Sequence, residues 1–131
     1  MRTHEVIHTD EGPEAIGPYS QATKLPLGDK SLVFVAGQIA LDPATGELIG
    51  GSAGEQTHRA MKNVRAILEA AGSSLGQVVK TTIFLSSMDL FAEANEAYGS
   101  YFSEAPPARA TVAVAGLPKG VDVEIEVLGY C

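Results

Sequence analysis

The run from Pro106 to Glu126 limits what this chain can become more than any other stretch. Its second half, continued to Val127, alternates without fault. Val121, Val123, Ile125 and Val127 fall on one side of an extended chain, and Asp122, Glu124 and Glu126 on the other. A period of two marks a strand with one buried face. The first half alternates more quietly: Val112 and Val114 share one face, Arg109, Thr111 and Ala113 the opposite one. Gly116, Leu117, Pro118, Lys119 and Gly120 break the pattern between the halves, which predicts an antiparallel hairpin with a short connection. With the valines of both strands on one core, Arg109, Thr111, Glu124 and Glu126 gather on the other face. A guanidinium beside a carboxylate suits the binding of a carboxylate and the activation of a water. The same four residues also suit a solvated sheet face with a surface ion pair.

The rest of the chain reads as β-β-β-α-β-α before that hairpin. Residues 4–8 form a short edge strand, Asp10 to Pro18 a polar loop, and Tyr19 to Lys24 a second strand. Tyr19 is either a core-edge aromatic or a pocket wall. After a turn over Leu25 to Asp29, Ser31 to Ala40 is apolar on both faces and wants cover on both. Two helices can cover one face. The chain is too short to cover the other, which points to a second subunit. Asp42 to Gly46 is a turn, and Glu47 to Ile49 a short returning strand. Ser52 and Glu55 make a capping-box pattern for a helix whose buried stripe is Met61, Val64, Ile67, Leu68 and Ala71, with Gly72 as the stop. His58 and Arg59 read as surface residues. Gln77 to Ser86 is a strand. Asp89 is the expected N-cap of a second helix with Leu90, Phe91, Ala94, Tyr98 and Phe102 buried, and Asn95 beside that stripe.

Length and charge narrow the function classes. A chain of 131 residues fits a single domain spanning 1–131, large enough to bury a real core. A net charge of −7 without a Lys/Arg cluster argues against a nucleic-acid partner. The longest apolar run, Leu32 to Ala36, is too short for a membrane. Arg2 is followed by Glu5, Asp10, Glu11 and Glu14, unlike a secretory or transit leader, and Cys131 is the only cysteine. A cytoplasmic protein is the expectation. His4 and His8 lack a third ligand, so no metal is expected. Gly50, Gly51 and Gly54 lack the Lys-Ser or Lys-Thr of a phosphate loop and read as a flexible connection.

Pro107-Ala108-Arg109, Leu117-Pro118-Lys119-Gly120 and Glu124-Ile125-Glu126 together resemble the signature of the reactive intermediate deaminases, the Rid family, also called YjgF or L-PSP. Ile16-Gly17-Pro18-Tyr19, Gly37-Gln38-Ile39, Asn63-Val64, Ala70-Ala71-Gly72, Val79-Lys80-Thr81-Thr82 and Asn95 extend the likeness, in the family's order, over almost the whole chain. The resemblance implies an α+β domain of the chorismate-mutase-like type: a mainly antiparallel sheet with two helices on one face, assembled as a homotrimer with clefts between subunits. It also implies hydrolysis of 2-imino acids, such as 2-iminopropanoate and 2-iminobutanoate, to 2-oxo acids and ammonia, without cofactor or metal. On this likeness Arg109 holds the substrate carboxylate and Glu124 activates water, with Tyr19, Gly37, Asn95 and Thr111 binding the substrate. Two positions depart from the pattern. Ala36 stands where serine is common and Thr111 where cysteine is common, which affects substrate range. Another enamine, such as an aminomuconate, a non-catalytic carboxylate-binding trimer, and a ribonuclease are the other readings. The acidic composition and the lack of a His or Lys cluster argue against the last.

Overall fold

The structure, a computed structural model, describes residues 3–131; Arg2 and the first two positions of the expected 1–131 domain lie outside the described residues. Six strands form one sheet: β1 (Glu5–Ile7), β2 (Ala22–Leu27), β3 (Lys30–Gln38), β4 (Val78–Leu85), β5 (Ala108–Ala113) and β6 (Val123–Tyr130), in the order β1-β2-β3-β6-β4-β5. The helices are α1 (Ala53–Ala70) and α2 (Phe91–Gly99). The sequence of element types follows the expected β-β-β-α-β-α-β-β.

The expected hairpin is absent. β6 lies between β3 and β4, antiparallel to both, and β5 pairs with β4 in parallel. The sheet is therefore mixed. Local pattern showed two strands and a breaker, but a Gly/Pro-rich connection does not fix which neighbour a strand takes. Here the chain leaves β5, passes a 3-10 turn at Pro118–Gly120 and returns beyond β4.

One face of the sheet is covered and one is open. Val33, Val35, Ile83, Leu85, Val123, Ile125 and Val127 are buried with Met61, Val64, Ile67 and Leu68 of α1 and with Ala94 and Tyr98 of α2. The open face carries Phe34 and Val112, 44% and 42% exposed. β3 is thus apolar on both faces, as its sequence implied, and within this chain only one face is covered. Two bulges adjust the alternation. One at Val78–Val79 turns Val78 into the core and leaves Val79 exposed. The other falls between Val35 and Gln38.

The helix ends follow from local chemistry. The Ser52 side chain accepts from Glu55 N at 3.1 Å, and Glu55 Oε1 accepts from Ser52 N at 3.4 Å, completing the capping box. Glu93 of α2 accepts from Gly54 N at 3.0 Å, and this bond lowers its pKa. At the other end Gly72 takes φ +87°, where a β-carbon is strained, and Ser73 N donates to Leu68 O. Lys24 Nζ donates to Ala71 O at 2.9 Å, placing a cation at the helix C-terminus. Two local expectations shift. Ser87, rather than Asp89, caps the turn that leads into α2. Leu41 and Leu48 form a single antiparallel bridge in place of a returning strand.

Replacing the cap tests how far local chemistry sets stability. Ser52→Ala is expected to lower unfolding stability by about 1 kcal/mol, read as a shifted urea midpoint with an unchanged slope.

Candidate active site

Glu124 is held by β6 from below and by Gly37 of β3 beside it. It points to the open face, since Val123 and Ile125 take the core. The bulge in β3 brings the Gly37 backbone against it. A β-carbon at position 37 would lie 2.9 Å from both Cδ and Oε2 of Glu124, so only glycine leaves the carboxylate where it is. The start of β6 is fastened at Asp122. Its backbone N–H donates to Gln56 Oε1 at 2.9 Å, and its carboxylate accepts from Ser86 Oγ at 2.8 Å and Gln56 Nε2 at 3.2 Å. Burial first, and the neighbouring negative charge of Glu126 second, push the Glu124 carboxyl above its ordinary pKa. A carboxylate with raised proton affinity is better suited to take a proton from water.

Glu124 and Gly37 line a cavity of about 190 Å³ that also takes in Tyr19, Ile39, Pro118 and Lys119. Tyr19 precedes β2 instead of opening it, and its ring is a pocket wall. Its phenol oxygen accepts from Ile16 N at 3.3 Å. Two buried amides shape the cavity from behind. Gln21, 2% exposed, accepts from Thr9 N at 2.7 Å and donates to Thr9 O and Pro13 O at 2.9 and 2.8 Å, pinning the preceding loop. Asn63, fully buried, donates to Ile39 O and Leu41 O at 3.1 and 3.0 Å. Arg59 Nη2 donates to Asn63 Oδ1 at 2.8 Å, so Arg59 is half-buried and not the free surface residue expected. Hydrophobic periodicity does not reveal such amides, because they occupy positions that read as polar surface.

Arg109 is elsewhere. In β5 it pairs with Thr81, which is buried under the helices, so its side chain lies on the helix face at the outer strand of the sheet. Its guanidinium carbon is 5.2 Å from the centroid of the Tyr98 ring and 5.7 Å from that of Phe91. Asn95 lies between these aromatics along α2 and is exposed. Thr111, paired with Ile83, shares the face of Arg109. Its hydroxyl is buried and has no hydrogen-bond partner among the described residues. The expected gathering of Arg109, Thr111, Glu124 and Glu126 on one face does not occur within the chain. Val112 faces out and Val123 faces in, so the valines of the two strands do not share a core. Glu124 and Val112 are separated by Phe84 of β4, about 10 Å at ordinary strand spacing.

The chain therefore carries two incomplete groups: Tyr19, Gly37 and Glu124 at a cavity on one side, and Arg109, Asn95 and Thr111 against α2 on the other. The first can polarise a water, and the second can fix an anion. His4 and His8 flank a strand, and His8 meets Asp10 at 3.9 Å on the surface. Among the described residues no three His, Cys, Asp or Glu side chains are grouped to hold a metal ion.

Comparison with known proteins covers nearly the full length. Residues 9–131 match the family model described as Endoribonuclease L-PSP. A RutC family protein of Pyrococcus abyssi is 50% identical over 96% of this chain and 96% of its own. The 2-iminobutanoate/2-iminopropanoate deaminase of Mus musculus is 45% identical over 95% of this chain and 89% of its own. The crystal structure of E. coli TdcF with bound serine superimposes with a TM-score of 0.86 at 41% identity, covering 95% of this chain and 97% of that one.

Two variants probe the Glu124 environment. Glu126→Gln removes the charge that helps raise Glu124, so the Glu124 titration midpoint, followed by carboxyl carbon NMR, is expected to move down; an unchanged midpoint means the two carboxylates do not share a field. Gly37→Ala is expected to displace the Glu124 carboxylate and change its chemical shift while the urea midpoint moves by less than about 1 kcal/mol equivalent.

Proposed function

Since this chain belongs to the L-PSP family, also called Rid or YjgF, we propose that it hydrolyses 2-imino acids such as 2-iminopropanoate and 2-iminobutanoate to 2-oxo acids and ammonia. We propose further that it does so in the cytoplasm, at sites completed between copies of itself in a homotrimer. The observation that carries the reading is the division of the chemistry. The Glu124 carboxylate lies over Gly37 in a cavity, and Arg109 lies on the opposite face two strands away. Within the chain, Lys119 is the one cation lining that cavity among the described residues. A side chain cannot cross its own sheet, so an Arg109 that serves a given Glu124 comes from another copy. Such a contact joins unlike surfaces and closes into a ring. The open face, with Phe34 and Val112 exposed, offers apolar surface to that ring. The number three comes from the family.

In this mechanism the planar fork of Arg109 from a neighbouring copy holds the substrate carboxylate through two parallel bonds. Asn95 and the unpaired Thr111 hydroxyl stand beside it. The imine carbon then faces Glu124. Glu124 takes a proton from water, the oxygen bonds to the imine carbon, and the C=N π pair moves to nitrogen, which is protonated. The tetrahedral carbon next expels ammonia as the C–N bond breaks. The hydroxyl proton passes through Glu124 to that nitrogen as the bond breaks, so ammonia leaves and a 2-oxo acid remains. Only water is consumed.

A carboxylate-binding protein without turnover and a ribonuclease are the competing readings. The cavity holds Glu14 and Glu124 against Lys119 alone, an arrangement that opposes a polyanion. Arg109→Lys is expected to lose on the order of a hundredfold in imine hydrolysis, because one point contact lets the carboxylate swing. Glu124→Gln is expected to lose turnover and keep 2-oxo acid binding. The decisive experiment unfolds and refolds Arg109→Ala and Glu124→Gln chains together. Half of the sites between unlike chains then regain both residues, those with Glu124 from the Arg109→Ala chain and Arg109 from the Glu124→Gln chain, and activity returns above that of either variant alone. No recovery in mixed trimers, monomers by light scattering, or RNA cleavage in place of imine hydrolysis would each defeat the reading.

A further inference from the structure

The catalytic cavity does not end at Glu124. Away from the carboxylate its wall is apolar: Ile39 and Leu41, 6% and 8% exposed, form its floor with Pro118 nearby, and Ile16, 68% exposed, stands at its rim. Ile39 and Leu41 belong to a small hydrophobic cluster with Val121 and Leu117, separate from the main core between sheet and helices. Asn63 fixes this floor by bonding the carbonyls of Ile39 and Leu41. Past Ile16 and Leu41 a second, more polar hollow of about 360 Å³ opens towards Pro43 and Thr45, sharing Pro13 and Glu14 with the first, so the apolar wall belongs to the first cavity.

These features constrain what occupies the space. The substrate carboxylate belongs to Arg109 of the neighbouring copy, so the cavity beside Glu124 receives the reacting carbon and the side chain. Ile39 and Leu41 are already nearly buried, so the apolar surface left to cover is that of Ile16 and Pro118, which a methyl group does not reach. A longer hydrocarbon side chain removes Ile16 and Pro118 surface from water at roughly 25 cal/mol per Å². Charge argues the same way. Glu14 and Lys119 both line the cavity and balance each other, and Glu124 adds a further negative charge, so a second carboxylate on the substrate meets no net attraction.

Building on the imine-hydrolysis reading, we propose that the Ile16–Pro118 wall of the cavity beside Glu124 is a side-chain subsite that selects 2-imino acids bearing apolar side chains longer than ethyl, with Ile16 as a specificity-determining residue. The inference concerns selectivity within that reaction, and its failure leaves the reaction itself intact.

The test measures hydrolysis and binding separately. Imines are generated in situ by an L-amino-acid oxidase from alanine, 2-aminobutanoate, leucine and methionine, and an aspartate-derived imine is supplied by the matching oxidase. Residual imine is trapped with semicarbazide. Calorimetry on the trimer follows binding of pyruvate, 2-oxobutanoate, 4-methyl-2-oxopentanoate and oxaloacetate. The leucine and methionine imines are expected to exceed the alanine imine in kcat/KM by about tenfold, with the aspartate imine lowest, and the 2-oxo acids to bind in the same order. Ile16→Ser is expected to reduce the leucine-to-alanine ratio by several-fold. Ile16 lies in an exposed loop, so the variant is not expected to disturb folding; an unchanged urea midpoint checks this. Graded binding without hydrolysis of any imine would defeat the deaminase reading and support the subsite. Equal or reversed order in both measurements, tightest binding of oxaloacetate, no binding of any 2-oxo acid, or an unchanged ratio in Ile16→Ser would overturn the subsite.

Discussion

Neighbouring residues of a strand face opposite sides of its sheet, and that rule governs everything this chain can do. β6 has to give Val123, Ile125 and Val127 to the helices, which commits Glu124 and Glu126 to the other side. β5 makes the opposite commitment. Arg109 and Thr111 turn towards the helices, where α2 supplies the aromatic rings of Tyr98 and Phe91 as a platform for the guanidinium. No rotamer can bring Arg109 and Glu124 together through the sheet. On the proposed reading, a chain built this way has an anion holder and a water-activating carboxylate and needs a copy of itself to use both.

The helix layer does more than close the core. α1 projects Gln56 to hold Asp122 and Asn63 to hold the carbonyls of Ile39 and Leu41. Both amides are buried and paired, so losing either leaves polar backbone unsatisfied, at about 1–3 kcal/mol per group. The strand that carries Glu124 and the floor of its cavity are thus fixed by one helix. Gln21 does the same for the loop over residues 9–13. The site rests on rigid elements, with Tyr19 and Lys119 contributed by loops. Lys119 adopts φ 57°, a left-handed conformation that a lysine holds only when its surroundings insist on it.

Much of this was legible in the sequence, and the failures have one cause. The order of elements, the capping box, the Gly72 stop and the buried stripe of α1 are local, encoded by spacing over a few residues. The faces of β5 and β6 were also legible separately. What was not legible is which faces coincide, because that depends on pairing, and pairing is decided by contacts far apart in sequence. The two bulges show the same limit: one extra residue at Val78–Val79 reverses the alternation, and nothing in the two valines announces it. Gln21, Asn63 and Arg59 escaped because a buried polar residue looks like a surface one until its partners are known. Tyr19 was readable as wall or core, and only the course of the loop before β2 decides for the wall.

Assembly and acid–base chemistry are coupled by the same geometry. In the single chain, burial and Glu126 both raise the Glu124 pKa, so the carboxyl keeps its proton to a higher pH than usual. On the proposed ring, Arg109 of the next copy brings a positive charge to the cleft and lowers that pKa, favouring the ionised form that can act as a base. A substrate carboxylate bound to Arg109 neutralises that charge again. The Glu124 pKa then rises at the moment its task is to take a proton from water. An empty assembled site thus keeps the base ionised, and an occupied one increases its proton affinity. On the proposed ring the raised carboxyl and the distant arginine, unrelated within one chain, meet in one cleft, where a permanently charged guanidinium sets how readily the carboxyl gives up its proton.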